Sequence, residues 1–309
     1  MELTEAEKDS IGQLPVADQQ EFLGLFEELE EAKIREQSRV SFIDFVRNMW
    51  PAFIDGEHHK IMADAFERIA RGELKRLIVN MPPRHTKSEF ASYLLPAWFL
   101  GQYPDKKVIQ TAHTAELSVG FGRKVRNLVA EDDFKKVFPE LALRADSKAA
   151  GRWSTNKGGE YFAIGVGGAV TGKGADLLII DDPHSEQEGQ SADPAVFDKT
   201  YDWYTSGPRQ RLQPGGAIVI VMTRWHMRDL TGKIIKTATQ REGMDEWEVI
   251  EFPAVFNENQ SDEKALWPQF WSLNELVALR SELPILPVLH GEFSIFPMKM
   301  AKRLPTLFF

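Results

Sequence analysis

The chain has 309 residues, a net charge of −9 and no cysteine. This length suits one large domain or a domain with appendages, and 43% apolar residues suffice for a sizeable core. The lack of cysteine excludes disulfides and thiolate metal sites and fits a reducing compartment. The sequence has no run of about 18 apolar residues, so it predicts no membrane span. The acidic N-terminus argues against a secretory signal. Because the net charge is negative, a nucleic-acid partner has to meet a local basic face.

The N-terminal residues 2–36 are rich in Glu, Asp and Gln and predict an acidic amphipathic helix. Its apolar positions at helical spacing are Phe22, Leu25, Phe26 and Leu29. We consider two interpretations: a helix packed on its own domain, which we favour, and an arm that docks a partner.

Residues 39–76 predict two further helices. Pro51 ends the first, and His58-His59 open the second. Adjacent histidines on a helix are expected to point to different sides, so this pair is a poor candidate for a metal site.

Residues 77–89 predict a buried strand, a tight loop and the start of a helix. Pro82-Pro83 end the strand, because proline donates no N–H to a ladder. Such a loop offers backbone N–H groups and the positive end of a helix dipole to a phosphate. Lys87-Ser88 stand where a P-loop (Walker A) places a cation for the β/γ-phosphates and a hydroxyl for Mg²⁺. The strict pattern is not met, since Met81 and Thr86 replace its two glycines. The alternative is an exposed basic turn that caps a helix.

A strand over 107–112 and a helix over 116–130 complete a βαβ unit, which favours a parallel sheet. Residues 153–155 and 161–164 predict paired strands, and the glycines of 165–174 indicate turns and close backbone approach.

The second informative stretch is 176–183, a buried strand that ends in Asp181-Asp182-Pro183. Ligands of open α/β sheets bind at the carboxyl edge of the strands, where paired carboxylates can hold Mg²⁺ and orient a water. The alternative is a turn that merely ends the strand. Its position about a hundred residues after the Lys-Ser loop favours the catalytic interpretation.

The C-terminal half predicts a helix over 194–206, a turn at 214–216 and a further buried strand over 217–222. The polar run Thr223-Arg224-Trp225-His226 again follows a strand. A helix over 227–237 and a strand over 247–252 come next, and the remainder is expected to form a small irregular or helical appendage.

Five motifs, in this order, resemble the ATPase domain of the large terminase of tailed phages, the motor that packages viral DNA into a preformed capsid. They are MPPRHTKSE (81–89), FGRKVR (121–126), VTGKGAD (170–176), LLIIDDP (177–183) and PGGAIVIVMTRWH (214–226) followed by DL. The resemblance covers residues 42–283. It implies an α/β fold of the RecA-like P-loop class, with a doubly wound, mainly parallel sheet, an N-terminal helical extension and a small C-terminal appendage. It also implies Mg²⁺-dependent ATP hydrolysis.

The resemblance assigns the nucleotide to the loop, where the expected binding residues are Pro83, Arg84, His85, Thr86, Lys87 and Ser88. Lys87 is expected to hold the β/γ-phosphates, and Ser88 and Asp181 the Mg²⁺. Asp182 stands where many such motors have a glutamate as the water-orienting base, and Arg84 is expected to contact the γ-phosphate. The family usually has glycine where Thr86 stands.

Two further roles are implied by the resemblance. Arg126, or else Arg123, resembles the arginine finger that completes the site of a neighbouring subunit, and the alternative for Arg126 is a solvated helix residue. Thr223, Arg224 and Trp225 resemble the coupling motif that senses the γ-phosphate, although Trp225 is also consistent with plain core.

The resemblance further implies a homo-oligomeric ring on the capsid, with double-stranded DNA, the portal protein and the terminase small subunit as partners. The location is then the host cytoplasm, transiently on the procapsid, with no membrane. The predicted layout is an acidic helical arm (1–38), the P-loop ATPase domain (39–252), a linker or lid subdomain (253–283) and an atypical tail (284–309). A nuclease domain is not expected, because the 26 residues after Leu283 contain one acid, Glu292, too few for a two-metal site.

Three functional hypotheses follow. The leading one is an ATP-hydrolysing packaging motor. The others are a helicase-like DNA-dependent ATPase and a catalytically silent terminase fragment that acts in assembly, the latter suggested by Thr86 and the atypical tail.

Overall fold

A central β-sheet organises the computed structural model, which describes residues 4–5, 11–147, 149–189, 191, 193, 195–241, 243–257 and 260–282. Its strands, in chain order, are β1 (Arg76–Asn80), β2 (Lys107–Ala112), β3 (Arg152–Ser154), β4 (Glu160–Gly165), β5 (Ala175–Asp181), β6 (Leu212–Met222) and β7 (Glu248–Glu251). They lie in the order β3-β4-β2-β5-β6-β1-β7. All neighbours pair in parallel except β3 and β4, which are antiparallel.

The helices, in chain order, are α1 (Val16–Val40), α2 (Phe42–Met49), α3 (Glu57–Ala70), α4 (Leu95–Gln102), α5 (Ala115–Ala130), α6 (Asp132–Val137), α7 (Glu186–Gly189), α8 (Ala195–Ser206), α9 (Leu230–Gln240) and α10 (Leu273–Glu282). A π-helical segment, Glu89–Leu94, leads into α4, and a 3₁₀ turn, Pro208–Arg211, leads into β6. A short hairpin of β8 (Val255–Phe256) and β9 (Lys264–Ala265) precedes α10. Within the described ranges, no helix has the length and apolar character needed to span a membrane.

The inner strands are buried on both faces, which is why they read as continuous apolar runs. Alternate residues serve two cores: Val79, Ile179 and Val221 face a cluster with α2–α6, whereas Ile180 and Ile220 face one with α8 and α9. Helices therefore cover both faces. This confirms the predicted doubly wound, mainly parallel α/β fold with its N-terminal helical extension.

The N-terminal helix α1 packs on the domain through its C-terminal end. Trp98 Nε1 donates to the Ser38 carbonyl at 3.0 Å, and Ser38 is the buried residue of this helix. Leu25 and Leu29 remain 59% and 46% exposed. The favoured interpretation, a helix packed on its own domain, therefore fits the C-terminal end of α1. The alternative, an arm that docks a partner, stays open for the rest of the helix.

Two local expectations were wrong. The predicted turn at 214–216 lies inside β6, where it forms a bulge: Ala175 pairs with Leu212, and Leu177 with Ala217. Gly215 takes a φ of +81°, which glycine permits and other residues resist. The helix expected from 227 begins at Leu230, because the preceding Asp229 caps its N-terminus.

The predicted domain boundaries stay predictions, although α1 runs through the boundary at residue 38. The atypical tail, residues 284–309, lies outside the described residues. The predicted appendage corresponds to the β8–β9 hairpin and α10.

Candidate active site

The loops that follow β1, β5 and β6 meet at the carboxyl edge of the sheet, because these three strands are neighbours. The Ser88 hydroxyl, just after the β1 loop, donates to Asp181 Oδ1 at 3.0 Å. Lys87 Nζ lies 2.8 Å from Asp182 Oδ2. The sequence singled out two pairs of residues, Lys87-Ser88 and Asp181-Asp182. Although Ser88 and Asp181 are 93 positions apart in the chain, the two pairs form one site.

The loop itself is held in an uncommon backbone conformation. Arg84 and Thr86 have φ values of 62° and 67°, in the left-handed region. For a β-branched residue such as Thr86 this is a genuine outlier. The Thr86 hydroxyl donates to the His85 carbonyl at 2.6 Å and lies 2.7 Å from His59 Nε2. These two contacts hold the threonine where a strict P-loop has glycine.

A layer of buried histidines supports the loop from below. His58, His59 and His85 are at most 2% exposed. The rings of His58 and His59 lie 3.8 Å apart, so the expectation that they point to different sides was wrong. Trp267, just after β9, lies 5.0 Å from the His59 ring, and Trp271 stacks on His85 at 6.4 Å. The C-terminal appendage is thereby joined to the loop.

Burial keeps this layer uncharged. Desolvation, aided by the neighbouring histidines, lowers the pKa of His58 to about 4 and that of His59 to about 2. Burial also lowers the pKa of His85. The rings therefore support the loop as neutral groups at neutral pH.

Asp181 is the buried carboxylate of the aspartate pair, at 2% exposure. Its second oxygen, Oδ2, accepts from Ser92 Oγ at 2.8 Å, and Gln110 Nε2 donates to Ser92 at 3.3 Å. Ser88 and Ser92 are four residues apart at the start of the helical stretch, and the π-helical segment begins between them at Glu89. Burial and then the adjacent Asp182 raise the pKa of Asp181.

The donor set around Asp181 fits a divalent cation. A hydroxyl and a carboxylate oxygen 3.0 Å apart are oxygen ligands of the kind that Mg²⁺ takes. A cation there would also offset the cost of burying the Asp181 carboxylate beside Asp182.

Asp182 joins the loop to the end of β6. Its Oδ2 pairs with Lys87, and its Oδ1 accepts from the Thr223 backbone N–H at 2.7 Å. The Thr223 hydroxyl lies 3.4 Å from the Met81 carbonyl at the start of the loop. Asp182 has a φ of 39°, a strained value of the kind that clusters at functional sites.

The polar run after β6 is organised by Asp229, which is fully buried. Its Oδ2 accepts from Arg224 Nε at 2.9 Å and from the backbone N–H of Trp225 at 3.1 Å. Arg224 also pairs with Glu251 at 3.6 Å. The turn is thus a fixed structure rather than a loose loop.

The remaining predicted residues take different positions. Pro83 and Arg84 are exposed on the loop. The His85 side chain turns inward and is buried, and its part in nucleotide binding stays a prediction. Arg126 lies partly exposed on α5 and donates to Asn127 at 3.3 Å. Its role as a finger in a neighbouring subunit stays a prediction.

Sequence reasoning missed several residues of the site. Ser92 had a signal, since it follows Ser88 by four positions on a predicted helix. Asp229 also had a local signal, since it precedes the helix at Leu230 and its partners lie within five residues. His59 had none, because its contacts with Thr86 and Trp267 depend on how distant segments pack.

No family model and no curated protein matches the chain. The chain is similar to the solved structure of the HK97 bacteriophage large terminase, with a TM-score of 0.45 and 15% identity, covering 79% of this chain and 47% of that one. It is also similar to an arginine-to-alanine mutant of the Thermus phage P74-26 large terminase ATPase domain, with a TM-score of 0.44 and 15% identity, covering 71% and 88%. The chain thus spans about half the length of the HK97 protein. Both structures are large terminases, the family that the five motifs resemble.

Proposed function

We propose that this chain is the ATP-hydrolysing motor domain of a phage terminase large subunit. One observation carries the proposal: the strand–loop–helix unit brings Lys87 and Ser88 into contact with Asp182 and Asp181. A cation for phosphate, a hydroxyl and a buried carboxylate at one sheet edge are the parts that phosphoryl transfer to water requires.

Each part has a task in this scheme. Ser88 and Asp181 would hold Mg²⁺, which when bound neutralises charge on the β- and γ-phosphate oxygens. When nucleotide binds, Lys87 leaves Asp182 and pairs with the phosphates, so the lysine exchanges one anionic partner for another. The backbone N–H groups of the loop and the helix that begins there favour the phosphate charge.

Other residues would respond to the γ-phosphate. Arg84, exposed on the loop, is proposed to contact it within the same subunit, and Arg126 to supply a finger to a neighbour. Thr223 contacts both Asp182 and the loop, so a movement of Lys87 away from Asp182 is transmitted to the end of β6.

The wider role rests on the motif resemblance. We propose that the subunit translocates double-stranded DNA into a capsid, as a homo-oligomeric ring with the portal protein and the terminase small subunit. This takes place in the host cytoplasm on the procapsid. Nuclease activity is not proposed for this chain.

The proposal is tested by the equilibrium binding of ATP with and without Mg²⁺. We expect Mg²⁺ to strengthen binding to the wild type, and Ser88→Ala to remove most of that gain. Ser147→Ala is the matched control, because the Ser147 hydroxyl accepts from the Ser154 N–H of β3 and not from a residue of the carboxyl edge where Ser88 lies. An absence of ATP binding by the folded wild type, or an unchanged Mg²⁺ effect in Ser88→Ala, contradicts the assignment.

A further inference from the structure

A third carboxylate, Glu188, lies at the same edge of the sheet as Asp181 and Asp182. It belongs to α7, in the segment that follows β5 and Asp182. Its Oε2 accepts from the Ser185 backbone N–H at 3.1 Å and lies 3.5 Å from His113 Nδ1 and 3.8 Å from His184 Nδ1. His113 directly follows β2 and His184 follows β5. Because β2 and β5 are neighbours, the carboxylate lies over the ends of both.

His184 points a defined nitrogen at this carboxylate. The residue is 3% exposed, and its Nε2 accepts from the Leu230 backbone N–H at 3.0 Å. An accepting Nε2 carries no proton, so Nδ1 carries it in the neutral ring. Among the described residues this buried Nδ1 makes no hydrogen bond, and Glu188 Oε2 is the acidic oxygen it faces.

The segment also reaches across the edge toward β6. A Cβ placed on Gly189 would lie 2.6 Å from the Trp225 ring, so the chain passes close against the turn that follows β6. That turn begins with Thr223, whose N–H holds Asp182. Glu188 therefore lies on a segment that spans the ends of β2, β5 and β6, from which Asp181 and Asp182 emerge.

Asp182, by contrast, has both carboxylate oxygens engaged, one by Lys87 and one by Thr223. The Thr223 contact is made by backbone and remains when Lys87 turns to phosphate. Asp182 is also one methylene shorter than a glutamate. Glu188 has the greater reach, and its Oε1 accepts no hydrogen bond from the described residues.

We propose that Glu188, and not Asp182, is the carboxylate that activates the attacking water, while Asp182 positions Lys87 and Thr223. The inference rests on the proposed ATPase function. A Glu188 oxygen accepts a proton from the water as the water oxygen bonds to the γ-phosphorus. The bond from that phosphorus to the β,γ-bridging oxygen breaks, and ADP leaves with the electron pair. The Glu188 carboxyl then releases its proton to phosphate or solvent.

The test measures ATP binding and single-turnover hydrolysis on the full chain. Glu188→Gln is expected to lower the hydrolysis rate by about 10²–10⁴-fold, the usual contribution of general-base catalysis, with ATP affinity unchanged. Glu186→Gln, the exposed neighbour on α7, is the matched control and is expected to keep the wild-type rate. Asp182→Asn is expected to change ATP affinity, because it frees Lys87, and to lower the rate less than Glu188→Gln does.

Separate outcomes distinguish this proposal from the one it rests on. If the wild type binds or hydrolyses no ATP, the ATPase assignment fails and this one with it. If the wild type hydrolyses ATP and folded Glu188→Gln does so at the same rate, Glu188 is not the base and the ATPase assignment stands. Glu188→Asp is a second variant in case Glu188→Gln does not fold, since it keeps the charge. Its ATP hydrolysis is expected to be slower than that of the wild type, because the shorter side chain withdraws the carboxylate.

Discussion

Replacing Thr86 tests how the loop tolerates a threonine at a left-handed position. The strained φ of 67° costs about 1–2 kcal/mol for a residue with a Cβ. The hydroxyl offsets this through its contacts with the His85 carbonyl and His59 Nε2, at about 0.5–1.5 kcal/mol each. Thr86→Ala keeps most of the strain, loses both contacts and leaves the buried His59 nitrogen unpaired. We expect it to lower the free energy of unfolding by about 2–3 kcal/mol.

Thr86→Gly loses the same contacts but relieves the strain, at a chain-entropy cost of about 0.5–1 kcal/mol. We therefore expect glycine to be more stable than alanine here by about 1 kcal/mol, the reverse of the usual order in a helix. Glycine also lets the backbone approach phosphate more closely, so ATP affinity is expected to be kept or raised.

Urea unfolding of the wild type, Thr86→Ala and Thr86→Gly measures the first effect, and ATP titration the second. Thr86→Ser, which keeps the hydroxyl, is the control and is expected to stay close to the wild type. Alanine as stable as threonine would refute the role of the His59 contact. A large loss of ATP affinity in Thr86→Gly would show that the hydroxyl itself contacts nucleotide.

Two other predictions concern pH and assembly. Because burial holds the pKa values of His58 and His59 below the unfolded value of about 6.5, the unfolded chain takes up protons first as pH falls. Stability is then fully present above about pH 6.5 and declines toward pH 5, by up to about 1.4 kcal/mol per pH unit for each histidine. Urea unfolding at several pH values should show a shallower decline in His58→Phe, and an equal decline in both proteins would contradict this origin. If Arg126 acts in a neighbouring subunit, mixing Arg126→Ala with Lys87→Ala should restore ATP hydrolysis that neither shows alone. A mixture as inactive as its parts, while the wild type is active, would exclude that role.

The elements that sequence could predict are those whose signal is local. The apolar runs before Pro82 and before Asp181 each form a strand, and the polar residues after them lie at one edge because parallel neighbours share that edge. The contact of Ser88 with Asp181 follows from this rule, although the rule gives no distance.

The features that the sequence could not predict depend on how distant segments pack, or on a local turn preference that strand pairing overrides. The residues 214–216 carry a turn composition, yet strand pairing on either side makes them a bulge. The engagement of Asp182 by Lys87 and Thr223 needs three segments in place. Glu188 was missed because its partners, His113 and His184, follow different strands and no spacing links them.

The central claim is that Lys87 belongs to an ATP-hydrolysing site, and phosphate release at saturating Mg²⁺-ATP tests it most directly. The lysine is 6% exposed and is paired with Asp182, which is itself partly exposed, so water can solvate that carboxylate when the lysine is removed. We predict that Lys87→Ala remains folded and releases no phosphate above background, whereas Lys135→Ala, an exposed lysine on α6, matches the wild type. Near wild-type phosphate release by folded Lys87→Ala would contradict the account.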